Sequence, residues 1–138
     1  MKAKRFIFLC IIVLAAILLL VKVSNKPPNV QSSIPSQTNS EGSVTITVTP
    51  KNLSQPTFEI VLDTHTDNLN KDLTKNTILI DDQGNMQKPV GWEGDPLGGH
   101  HRKGILLFNS FQEKSKLVTL KIQNVGQVQE RSFTWIVK

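Results

Sequence analysis

The sequence predicts an all-β domain: an antiparallel immunoglobulin-like β-sandwich of about seven strands, preceded by one N-terminal hydrophobic helix and a disordered linker. Three observations predict it. Short segments of alternating apolar and polar residues recur from Val44 onward, turn-forming residues separate them at close intervals, and no amphipathic helix competes with them.

Val44-Thr-Ile-Thr-Val-Thr49 alternates, with Val44, Ile46 and Val48 on one face, and Pro50 ends it. In Phe58-Glu-Ile-Val-Leu62 the side chains of Phe58, Ile60 and Leu62 share a face. Asn68 to Lys75 has room for a short helical turn using Leu69 and Leu73. Thr77-Ile-Leu-Ile80 is a third strand, and Asp81-Asp82-Gln83-Gly84-Asn85 reads as a hairpin turn. Met86 to Trp92 is expected to pair back, Pro89 marking an edge position or a break. Gly104-Ile-Leu-Leu-Phe108 comes after a loop rich in glycine and histidine. Val118, Leu120 and Ile122 alternate in the sixth segment, and Phe133, Trp135 and Val137 in the last. Trp92 and Trp135 are both expected to contribute to the core. Arg131, one alternation before Phe133, is expected to pair with a carboxylate or to stack on an aromatic ring.

The segment ahead of the domain sets the expected compartment. Phe6 to Val21 are sixteen consecutive apolar, uncharged residues, flanked by Lys2, Lys4 and Arg5 before and Lys22 after. As a helix they span about 24 Å of a hydrocarbon core about 30 Å thick, a gap that Val23 and a snorkelling Lys22 narrow. The segment Leu20-Val21-Lys22-Val23-Ser24 lacks the small residues that signal peptidase requires, which favours an uncleaved signal anchor over secretion after cleavage. The basic N-terminal cluster places the residues after Val23 outside the cytoplasm. Residues 24–43 are rich in Ser, Pro and Asn and read as a flexible linker, reaching on the order of 25 Å. The organisation is therefore an anchor at 1–23, a linker at 24–43 and a β-domain at 44–138, with the membrane as a partner through residues 6–23.

Charge narrows the function. The chain has a formal net charge of +5, yet from Val44 to Lys138 eleven Lys and Arg face ten Asp and Glu. The excess belongs to the membrane flank, so the domain lacks the basic surface that nucleic acid requires. The one cysteine, Cys10, lies in the apolar run, and no internal disulfide is available to the domain. No phosphate loop, nucleophile elbow or H-E-x-x-H motif is present, so no enzymatic activity is read from the sequence. The expected function is that of an extracytoplasmic binding or interaction module, with a protein or small ligand as partner.

Two segments break the strand pattern: Leu62 to Asp67, and Gly91 to Gly104. They hold all three histidines of the chain together with Asp63, Asp67, Glu93 and Asp95. His65, His100, His101 and Asp63 supply the nitrogen and oxygen donors that zinc or copper accepts, which makes a metal-binding accessory protein the alternative function. Adjacent His100 and His101 would diverge on a strand, so one ion could take both only in a loop, which Gly98 and Gly99 would permit. Against this stands a structural role, in which the imidazoles bond carboxylates or carbonyls and tie two loops together.

The D-T-H run at 63–65, the D-D-x-G turn at 81–84, W-x-G at 92–94 and G-G-H-H-R-x-G-x-L-x-F at 98–108 resemble an uncharacterised family of small exported or membrane-anchored β-sandwich domains. The resemblance spans roughly Thr57 to Trp135. It implies the fold and the compartment, and no catalytic residue.

Overall fold

The computed structural model describes residues 34–137, so the expected anchor at 1–23 and the first part of the expected linker lie outside the described residues. Among the described residues, nine strands and one short helix form in the order β1 (Gln37–Asn39), β2 (Val44–Asn52), β3 (Thr57–Thr64), α1 (Leu73–Asn76), β4 (Thr77–Asp81), β5 (Met86–Gln87), β6 (Gly91–Gly94), β7 (His101–Leu107), β8 (Leu117–Val125) and β9 (Val128–Ile136). They make two antiparallel sheets, β1-β2-β3-β7-β6 and β5-β4-β8-β9. Among the described residues no helix is long and apolar enough to cross a membrane.

The alternation read from the sequence sets which face is buried. In the first sheet Ile46 pairs with Leu62 and Val48 with Ile60, all on the inner face. In the second, Leu79 pairs with Leu120, which pairs with Phe133. The two inner faces share one apolar core, and Phe58 of β3 meets Trp135 of β9 at 5.4 Å between ring centroids. Short side chains facing outward, such as Thr45, Thr47 and Thr49 on β2, keep the first sheet's solvent face polar.

Pro50, read as ending the first strand, lies inside β2 opposite Phe58, and the strand read from Gly104 begins three residues earlier, at His101. Two larger differences concern whole segments. The segment read as one strand from Met86 to Trp92 is divided: Met86 and Gln87 pair with β4 in one sheet, and Gly91–Gly94 pairs with β7 in the other. Pro89 lies in the crossing, where its missing N–H costs no ladder bond. Residues 34–43, read as linker, carry strand β1. It pairs with β2, and the Gln37 side-chain amide donates to the Thr134 carbonyl and accepts from the Thr134 N–H of the second sheet. Trp135 Nε1 donates to the Pro35 carbonyl at 2.8 Å. These contacts cover the outer edge of β9 with polar groups, which a reading based on apolar periodicity does not detect.

The turn after β4 is built by Asp81. Its Oδ1 accepts the N–H groups of Gln83 and Asn85, and its Oδ2 accepts the Asn85 side-chain amide. Burial works to raise its pKa, but these hydrogen bonds outweigh burial and hold the carboxyl below the ordinary value. A depressed folded pKa means the contribution is complete above the unfolded value of about 3.9 and is lost as pH falls through the folded value. Glu59, Asp72 and Glu130 shift the same way. Stability is therefore expected to fall below about pH 4, and Asp81→Asn should flatten that acid limb without abolishing it. Denaturant midpoints at a series of pH values for both proteins measure the difference, and parallel limbs would remove Asp81 from the account.

Candidate ligand site at the loop end

The site grows from the loop after β3. Thr64 ends that strand, donating from Oγ1 to the Ser43 carbonyl at 2.7 Å and accepting the N–H groups of Thr66 and Asp67. Asp67 in turn accepts from the Ser43 hydroxyl. The loop then zips to the segment before β7: Thr64 N–H donates to His100 O, Leu69 N–H to Gly99 O, and Gly98 N–H to Leu69 O. Gly98 and Gly99 have φ of 108° and 77°, a region that side chains disfavour. Leu69 and Leu73 bury themselves beneath the loop, and Asp72 caps α1 through the Thr74 N–H.

Arg102 closes the site from β7. Its side chain follows the inner-face register that Leu106 and Phe108 share, and only 4 % of the residue is exposed. The guanidinium lies 4.6 Å from the ring centroid of Trp92, with Nε donating to Asp95 O and Nη1 to Lys71 O. Trp92 Nε1 donates to the same Asp95 carbonyl. Gly104 makes this stack possible, because a Cβ there would sit 2.4 Å from a carbon of the Trp92 ring. The W-x-G and R-x-G elements thus form one unit: ring, cation, and the gap in which the ring rests. Burial lowers the Arg102 pKa, opposed by the fields of Asp72 and Asp95, and the guanidinium remains a cation.

Beside Arg102 opens a cavity of about 380 Å³. Leu62, Leu69 and Leu73 give it an apolar side, Asn68 and Asn70 come from the loop after β3, and Gln127 comes from the β8–β9 turn. The volume falls within the usual range for small-molecule sites, roughly 300–1,000 Å³. A second hollow of about 520 Å³, at Leu53, Phe111 and Val137, has no buried charge in its lining.

The histidines expected to bind metal are distributed differently. Asp63 and His101 face each other across the β3–β7 ladder on the solvent side of the first sheet, with His101 Nδ1 2.6 Å from Asp63 Oδ1. Their side chains are 46 % and 73 % exposed, so the pair adds little to stability, about 1 kcal/mol at most. His65 and His100 are exposed in the flanking loops. Among the described residues, no three His, Cys, Asp or Glu side chains gather in a group able to hold a metal ion.

The sequence reading named the segment around Arg102 for its histidines and overlooked the arginine. Its signal was present, because Arg102, Gly104, Leu106 and Phe108 alternate, which puts a charge on the buried face. Arg131 differs from its expected role as well. It is 1 % exposed and bonds the carbonyls of Val125, Glu41 and Val44 and the Asn39 side chain, and among the described residues it has no carboxylate pair and no stacked ring. No protein-family model, curated protein or solved structure matches the chain.

Proposed function

We propose that the chain is an extracytoplasmic binding module without catalytic activity, tethered to the membrane by residues 6–23 and presenting the cavity at Arg102 as its ligand site. The observation that carries this reading is the cavity itself, of ligand size and bordered by a buried, stacked cation. The compartment rests on the apolar run from Phe6 to Val21 and its basic flank. The immunoglobulin-like assignment is supported by strand order. Taking β2, β3, β7 and β6 as strands A, B, E and D leaves β4, β8 and β9 as C, F and G, with β5 in the place of an added C′. Membership of the uncharacterised family remains part of the proposal, resting on the motifs that surround Arg102.

Fractionation of cells expressing the full chain tests the tether. The chain should sediment with membranes, resist salt extraction, and lose its domain to protease added from outside. A soluble product beginning near Ser24 would replace the tether with secretion, and protease protection in sealed cells would overturn the extracytoplasmic placement.

A further inference from the structure

Two buried arginines border the same end of the domain, and their hydrogen bonding separates them. Arg131 uses all three nitrogens, and two of its acceptors are the carbonyls of Val44 and Val125, residues that line the cavity. Arg102 lines the cavity directly but uses only Nε and Nη1, both on backbone carbonyls. Among the described residues its Nη2 has no hydrogen-bond partner, and neither guanidinium forms an ion pair. Asp67 is the only carboxylate in the lining, and it accepts from Ser43 and shares the lining with Lys71. The lining thus carries two cations, Arg102 and Lys71, against the one carboxylate of Asp67, with Asp72 and Asp95 acting on Arg102 from outside the lining, and Arg102 Nη2 is left free to donate.

A guanidinium N–H donates a charge-assisted hydrogen bond to a carboxylate, and in a partly buried site that bond is stronger than one in water. The remaining lining asks for a ligand with an apolar part, for Leu62, Leu69 and Leu73, and with groups that bond side-chain amides, for Asn68, Asn70 and Gln127. We infer that this cavity binds a small carboxylate with an apolar body and an amide group, an inference that rests on reading the loop end as a ligand site.

N-acetyl-leucine has those three parts, and N-acetyl-leucinamide lacks only the charge. The full chain in lipid nanodiscs, titrated with each and followed by tryptophan fluorescence and by calorimetry, should bind the acid at least roughly tenfold more tightly than the amide. Arg102→Lys, which keeps a charge and loses the free Nη2 donor, should weaken the acid by a similar factor and the amide by less. Asn68→Trp, at an exposed lining position, should block both probes and does not depend on the Arg102 variant folding. Equal affinity for acid and amide would overturn the carboxylate preference and leave a ligand site. Binding of neither at millimolar concentration would overturn the ligand-site reading as well. Acid binding that survives Asn68→Trp would place the carboxylate elsewhere and overturn the assignment.

Discussion

Arg131→Met is expected to destabilise the protein by about 3–5 kcal/mol, a large share of the roughly 5–15 kcal/mol that holds a typical domain. The methionine fills much of the space but donates no hydrogen bond. The carbonyls of Val125, Glu41 and Val44 and the Asn39 side chain would lose their donor together, and a buried acceptor left unpaired costs about 1–3 kcal/mol. The costs do not add fully, because water can reach the rim near Glu41, which is exposed. Arg131→Lys should recover only part of the loss, since one ammonium cannot span acceptors on β2, on β8 and before β2 that the planar fork bridges. Denaturant unfolding of the full chain, followed by tryptophan fluorescence, measures both variants. A loss under about 1 kcal/mol for the methionine variant would show that these acceptors find other partners.

Trp135→Ala should cost about 3–5 kcal/mol, the usual range for removing a large aromatic side chain from a packed core. The ring joins the two sheets, lying 5.4 Å from Phe58 and 6.4 Å from Phe133, and its N–H holds the Pro35 carbonyl. Its removal opens the core and releases the segment that covers the edge of β9. Trp92→Ala should cost less, about 1–2 kcal/mol, because that ring, expected in the core, is only partly buried at its margin and loses its contact with Arg102 and its bond to the Asp95 carbonyl. Equal losses at the two positions would contradict this division of roles. Thermal and denaturant melts of the paired variants decide the matter.

The sequence alone determined the layout of the core, for a physical reason. A strand that buries one face must alternate, and that pattern is written locally in Val44-x-Ile46-x-Val48, Phe58-x-Ile60-x-Leu62 and Phe133-x-Trp135. The Asp81 turn was legible on the same terms, since its hydrogen bonds stay within five residues. Tertiary structure alone decided what depends on polar groups meeting across long stretches of chain. Gln37 completes an edge 97 residues away, and Arg131 finds acceptors about 90 residues earlier at Asn39, Glu41 and Val44. The same limit governed the candidate site. Composition pointed to His65, His100, His101 and Asp63, but a ligand set needs donors that converge, and the β3–β7 register joins only Asp63 with His101, on an outer face. The alternation that turns His101 outward turns Arg102 inward, where Trp92, Lys71 and Asp95 from other segments hold it beside a cavity that exists only once the loops have packed.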